Sequence, residues 1–588
     1  MIRLSFAIFI VFAFSHAYSQ NESSAYLDLN NIKALLNSNG ALFTNGETSE
    51  FEVPKGSGKS CLFNSGLWIA GKDQDQTLHF AGMPYYSPNK QVSDINAIDF
   101  FSGPISELYN TEYDNRWNTV WKITQQEIDY HKEHWNDQDY LPIEVIESWP
   151  AHGILENGET YNIAPFYDSD NDNMYDPVVG DHPIIRGDQA IFYVINDIRN
   201  EHIATESLAM GIQLHVMAYA FDDLLDADIN NTIFLHYDIL NRSENSYDST
   251  YIGISSDFDI GHANDDYVGS DVKQSSFYGY NALEVDGTGQ SWSYGDNPPA
   301  LSTTILAGPF LVADEIDNAA GQLDFSYNGF GFEDDIIDNE RMGLSSFMVI
   351  KPSTNLINYP ISTKYYNFMQ AKWADSTHLV YGGNGHIDEI GSVGPECHFM
   401  FPGNSDLTNF GTDGIIPNDG YNQDDKFWTE QQTENNPYDV RGIGSCGPFT
   451  FNSGGKQELD IAYIFAQSDN YLASVDLLRD RISSIRHKVK YDDIIYLPNH
   501  TLGSQDKLLA TQMQLFPNPA NDKFRISISE ELFQSDVKYA IYDNTGSIVK
   551  SNYLTEESIT VSDMNPGIYY VKVYSDQFQA KQKLVIIR

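Results

Sequence analysis

Basic residues and cysteines are what this chain has least of. Against 83 Asp and Glu it carries 34 Lys and Arg, for a formal charge of −49. Phosphate backbones and anionic lipid headgroups are held by cationic side chains, so this balance excludes nucleic acid as a partner and points instead to divalent cations. The same acidity keeps an exported protein soluble, a reading that stands beside the first. The three cysteines, Cys61, Cys397 and Cys446, are odd in number and far apart, which rules out a disulfide framework. Cys397 and Cys446 both precede strand-like segments, ECHFMFPG and SCGPFTF, so a pairing between them stays open beside the favoured reading of buried free thiols.

Several motifs are missing. There is no Walker loop, no G-x-G-x-x-G after a strand, no H-E-x-x-H and no G-x-S-x-G, which removes support for nucleotide binding, for a helical zinc-hydrolase site and for a serine elbow. Long apolar runs are also scarce. Beyond the stretch from Leu4 to Phe14 nothing is long and apolar enough to cross a bilayer, so no transmembrane segment is expected. That stretch lies in MIRLSFAIFIVFAFSHAYSQ, with one Arg ahead of it and small residues at Ala17 and Ser19. It reads as a secretory signal peptide over residues 1–19, placing the mature chain outside the inner membrane.

What is present is mainly β. With 588 residues the chain exceeds one ordinary domain, and Tyr (37) and Phe (33) far outnumber Trp (8), a bias toward strands. The runs IFYVIND, GIQLHVMAYAF, TIFLHYDILNRS and YIGISSDFDIG alternate apolar and polar residues between Asn, Asp, Ser and Gly, as paired strands do. A large β-sandwich-like main region over residues 20–496 is expected, with a few short helices and room for two subdomains. Ile32, Leu35 and Leu36 make a short helical stripe closed by Asn39-Gly40. Thr124 and Glu127 form a capping box ahead of IDYHKEHW. Val475, Leu478, Ile482, Ile485 and Val489 line one face of a helix over about 473–489. Residues 497–512 read as a linker. Residues 513–588, with short alternating strands and the turns Asp543 to Gly546 and Asn565 to Gly567, read as a small Ig-like β-sandwich.

Within that last segment LFPNPAND (Leu515 to Asp522), IYDNTGSIV (Ile541 to Val549), MNPGIYYVKV (Met564 to Val573) and KLVIIR (Lys583 to Arg588) follow one another in order. This succession resembles the type A C-terminal sorting domain of the type IX secretion system. The resemblance implies Sec export, then recognition by the outer-membrane translocon, with a sortase-like surface peptidase removing the domain. The cargo would end on the outer-membrane surface or released. The segments FNSGLWIAGKD, WPAHG, PFYDSDNDNMYDPVVGDHPIIRGDQ and DNERMG of the main region resemble uncharacterised secreted proteins that carry the same tag, a likeness that implies no activity.

The loop DSDNDNMYDP places Asp168, Asp170 and Asp172 at positions 1, 3 and 5, Met174 at 7 through its carbonyl, and Asp176 at 9, the ligand spacing of a calcium loop. Position 6 is Asn173, which tolerates left-handed backbone, and position 12 is Val179 instead of a bidentate Glu; Asp181 is near enough to complete the shell. No helical period flanks the loop, which excludes a full EF-hand. The rival is an Asp/Asn-rich turn that caps its own backbone, but four carboxylates in nine residues repel one another without a cation. A second acidic group, Asp257, Asp259, Asp265, Asp266 and Asp271, is read either as a further calcium site or as a carboxylate pair of the kind that flanks a glycosidic bond.

Glu127, His131 and His134 share a helical face, read as solvated; His152 and His182 lie in turns. Trp68, Tyr85, Tyr86, Trp117, Trp121, Tyr278, Tyr280, Trp292 and Tyr294 are read as core in preference to a sugar-stacking platform. Asp338, Glu340 and Arg341 read as a structural ion-pair corner. The expectation is a calcium-stabilised, exported β protein with a binding or structural role toward a glycan or surface partner, and more a binder than an enzyme. A secreted hydrolase acting on glycans or peptides is the alternative.

Overall fold

The computed structural model describes residues 23–83, 98–321, 324–350, 361–388, 391–417, 427–492, 494–497, 514–527, 537–542, 548–554, 558–575 and 578–587. The expected signal peptide over residues 1–19, Tyr85 and Tyr86, the expected Asp543 to Gly546 turn, and all of the expected linker except Leu497 lie outside them. The chain divides into two compact units, Met1–Ile495 and Tyr496–Arg588.

The first unit is built on two antiparallel sheets. The larger runs in the order Asp266–Asp271, Ser276–Asn281, Ala300–Ala307, Lys456–Ala466, Thr232–Asn241, Ile212–Ala220, Gln189–Asn196 and Phe101–Ser102, with Trp121–Thr124 also pairing onto Gln189–Asn196. The second runs Ser346–Val349, Val440–Phe451, Tyr247–Phe258, Leu62–Lys72, Leu78–Gly82. Alternate residues explain how they join. Ile191, Tyr193 and Ile195, with Ile233, Leu235, Tyr237 and Ile239, enter one apolar cluster together with Trp68, Ile252, Ile254, Phe347 and Ile443 of the second sheet. Each such aliphatic side chain contributes roughly 1.5–3 kcal/mol by leaving water.

The residues between them are buried too, because the other face of the larger sheet is also covered. Phe234 stacks on Tyr219 with ring centroids 5.2 Å apart, and Phe192 meets Trp149 at 5.5 Å. The helix Tyr471–Tyr491, capped by Asn470 through the Ala473 amide, buries Ser474, Leu478, Ile482, Ile485 and Val489. Val475, expected on that stripe, yields its place to Ser474, whose hydroxyl donates to the Pro298 carbonyl (2.9 Å).

The 32–36 stripe is not a helix. Lys33–Asn37 is a strand, paired with Ser24–Leu27 on one side and Phe51–Glu52 on the other. Its residues from Ala34 onward are all buried, so apolar side chains on both faces imitate helical spacing. All three cysteines are buried and none is in a disulfide, so the Cys397–Cys446 pairing is not made.

In the second unit one sheet orders as Gln514–Phe516, Lys523–Ser527, Ile559–Thr560, and the other as Ile548–Tyr553, Lys538–Tyr542, Gly567–Ser575, Phe578–Ile586. Phe524 and Ile559 of the first share a core with Ile541, Val571, Val573 and Leu584 of the second, which makes a small sandwich. Among the described residues no helix is long and apolar enough to cross a membrane.

Candidate cation sites

The segment 168–181 is an excursion from a two-stranded ribbon in which Phe166 pairs with Pro183 and Tyr167 with His182. Asn171 and Asn173 take φ of 62° and 61°, the left-handed conformation that Asn accommodates. The chain coils around its own carboxylates. Asp168 Oδ1 accepts from the Asn171 amide (2.7 Å) and Oδ2 from the Asn173 amide (3.0 Å); Asp172 Oδ1 accepts from the Met174 amide (2.7 Å). Asp181 closes the loop from beneath: it is fully buried, with Oδ1 on the Ser169 amide (2.8 Å) and Oδ2 on the Asp176 amide (2.9 Å).

Anchors outside the loop hold it. Tyr175 donates to the Ile146 carbonyl (2.6 Å) and Tyr161 to the Asn173 carbonyl (3.1 Å). The helix Gln125–His134, begun by the Thr124/Glu127 capping box, supplies His131. Its Nε2 donates to the Asp181 carbonyl (3.0 Å) while Nδ1 accepts from the Tyr140 hydroxyl (3.0 Å). His131 is therefore not on a solvated face: it is fully buried, and burial lowers its pKa and keeps the ring neutral. Gly180, at φ 106°, lies so close to Trp135 that a Cβ would stand 3.0 Å from the indole ring.

Asp168, Asp170 and Asp172 each bring one oxygen within 4.8 Å of the others. Two oxygens on opposite sides of a calcium ion at about 2.3–2.6 Å are separated by that order of distance. Partial desolvation, then the charge of Asp172, with Asp181 and Asp168 behind it, raises the Asp170 carboxyl above its usual value. Asp176 does not join the three. Its side chain accepts from the Val178 amide (3.1 Å) and caps the turn Pro177–Val179. The Met174 side chain is exposed.

The second acidic group divides. Asp257 and Asp259 meet Asp439, again with one oxygen each within 4.8 Å; Asp439 was not anticipated. Arg441, directly across the strand pair from Asp257, approaches Asp257 Oδ1 through Nε (3.1 Å) and Asp439 Oδ2 through Nη2 (2.6 Å). Asp265 turns away, accepting from the Gly287 amide (2.9 Å) and facing His262 Nδ1 (3.3 Å). Asp266 is fully buried and accepts from the Ile260 amide (2.9 Å). Asp271 is at the far end of its strand, bound to Arg479 (3.1 Å) and to Gln274. Burial raises Asp257 well above the carboxylate range, and burial followed by the charge of Asp439 carries Asp259 to about 7.

A third grouping, His236 with Glu458 and Asp460, is already satisfied by protein partners. His236 Nδ1 faces Asp460 Oδ1 (2.7 Å) and Nε2 faces Asp238 Oδ1 (3.1 Å). The ion-pair corner around Arg341 belongs to this network. Glu340 is buried and accepts from the Asn318 amide, while Asp338 accepts from the Asp314 and Glu315 amides. His152 stacks on Tyr161 at 4.2 Å, and His182 stacks on Tyr167 at 4.8 Å. Trp68, Trp117, Trp121, Tyr278, Tyr280 and Tyr294 are core residues, whereas Trp292 is exposed.

The fold is therefore that of a mainly β protein with a separate C-terminal sandwich. Residues 514–587 match the family described as the secretion system C-terminal sorting domain. The chain is thus cargo of the type IX secretion system with a type A tail, sent to the cell surface or beyond it. No curated protein matches it. Among solved structures, PorZ of Porphyromonas gingivalis, described as an essential bacterial surface component of that secretion system, aligns over 96% of this chain and 75% of its own. The identity is 9% and the TM-score 0.12, values that carry no argument.

Proposed function

We propose that the first unit is a calcium-stabilised β scaffold that works outside the cell in a binding or structural role, toward a glycan or another surface partner. Residues 513–588 serve as its address, engaging the outer-membrane translocon and then a sortase-like surface peptidase. The observation that carries the calcium reading is the convergence of Asp168, Asp170 and Asp172 within 4.8 Å in a loop braced by Asp181 and His131. Calcium there replaces the constraint that disulfides supply in other exported proteins and holds a long acidic loop in one conformation.

Scanning calorimetry with calcium and with chelator tests this. A ligand at a hundred times its Kd stabilises by about 2.7 kcal/mol, a rise in melting temperature on the order of 3 °C for a unit of this size. Coincident curves refute calcium binding, and Asp170→Ala with Asp172→Ala should abolish the shift. A glycan or peptide hydrolase is favoured by one observation, the approach of the Asp257 and Asp259 carboxylates to within 4.8 Å of each other and of Asp439, a pair of the kind that flanks a glycosidic bond. Turnover of a glycan panel that Asp259→Asn abolishes would support it.

A further inference from the structure

We propose that Asp257, Asp259 and Asp439, backed by Asp266, form a second calcium site, at the end of the second sheet where Phe258 pairs with Val440. The strand register builds it. Asp257 faces Arg441 and Phe258 faces Val440 across the pair Tyr247–Phe258 and Val440–Phe451. The next residue of each chain past that pairing, Asp259 and Asp439, then comes opposite the other. Asp257 is on the strand and Asp259 is the first residue beyond its end, and with Asp439 the three carboxylates converge within 4.8 Å.

The independent observation is Asp266, which comes from a different strand. Its carboxyl is fully buried, and Oδ2 takes the Ile260 amide at 2.9 Å, which sets the group against the Asp259–Ile260 peptide. The backbone of Asp266 also bridges to Tyr438, next to Asp439. Its other oxygen, Oδ1, is buried without a hydrogen-bond partner. Asp439 Oδ1 is likewise without one, and Asp257 Oδ1 has the ion-pair approach of Arg441 Nε but no hydrogen bond. Carboxylate oxygens withdrawn from water need a donor or a metal.

Arg441 neutralises one charge and orients two of the carboxylates. The three converging carboxylates against one guanidinium leave an excess that a divalent ion balances. The donor set is all oxygen, which selects a hard cation, and carboxylates carried on separate segments suit the larger and more adaptable calcium shell better than the rigid octahedron of magnesium. No residue is shared with the 168–181 loop, so the two sites stand or fall separately.

Equilibrium dialysis of the full secreted chain against radiolabelled calcium, with magnesium in excess, counts the ions. The wild type should bind two, Asp259→Asn and Asp439→Asn one each, and Asp170→Ala with Asp172→Ala one. If the wild type binds one ion that Asp259→Asn removes, this site holds and the loop site fails. Asn variants that keep the wild-type circular dichroism and bind as many ions as the wild type overturn the proposal. Should the Asn variants not fold, the loop variant decides: one remaining ion supports the site and none overturns it.

Discussion

Arg341 Nη1 stands 2.6 Å from Asp460 Oδ2, with both side chains buried. Arg341 also donates to the Gly308 carbonyl (2.7 Å) and the Ala307 carbonyl (2.9 Å), so the edge of the neighbouring strand is tied to the same charge pair. Burial works against the Asp460 charge, but His236 and Arg341 overcome it and bring its pKa down to about 2. Removing Arg341 leaves a buried carboxylate with only His236 of its two close cationic partners. Arg341→Met should cost about 3–5 kcal/mol in urea unfolding, and a loss under about 1 kcal/mol would show the pair to be incidental.

The same network sets a pH dependence. Burial and the Arg186 charge oppose protonation of His236, yet Asp460 and Asp238 outweigh them and raise its pKa above 6.5. A raised folded pKa means the contribution is complete below the unfolded value of about 6.5 and is lost as pH rises through the folded one. Urea unfolding followed upward from pH 6 should therefore show stability falling. His236→Gln should flatten that slope; an unchanged slope in the variant would assign the effect elsewhere.

Gly180 fixes the exit of the acidic loop. An alanine there combines a left-handed backbone with a Cβ pressed on Trp135, a backbone penalty of roughly 1–2 kcal/mol before the contact is counted. Gly180→Ala should weaken calcium binding in a titration while leaving the apolar core intact by near-ultraviolet circular dichroism. Wild-type affinity would mean that the loop does not depend on this turn.

Residues 513–588 fused to a reporter with a Sec signal should carry it out of a host that has type IX secretion. The fusion should remain in the periplasm of a host lacking the translocon. Periplasmic retention in both hosts would remove the address from this segment.

The acidic loop could be seen in the sequence because its carboxylates follow one another in the chain, with spacing as their signature. Asp257, Asp259 and Asp266 could be seen in the same way, but Asp439 could not, because it arrives only through the register of two distant strands, visible once Phe258 is known to face Val440. Long-range pairing hides the network of His236, Asp460 and Arg341 in the same way. Strands such as Gln189–Asn196 were legible from their turn-forming borders, though burial on both faces blurs their alternation. Lys33–Asn37 imitates a helix for that reason: with both faces covered, its apolar run carries no period that distinguishes strand from helix.

Hydrogen exchange across residues 168–181 of the full secreted chain, with calcium and then with chelator, tests the calcium-stabilised loop most directly. The amides of Ser169, Asn171, Asn173 and Met174 are held by the carboxylates of Asp181, Asp168 and Asp172. With calcium they should exchange at least about tenfold more slowly, the equivalent of about 1.4 kcal/mol of local stability, and Asp170→Ala with Asp172→Ala should erase the difference. Identical exchange in calcium and chelator, in a chain that is otherwise folded, would contradict the account.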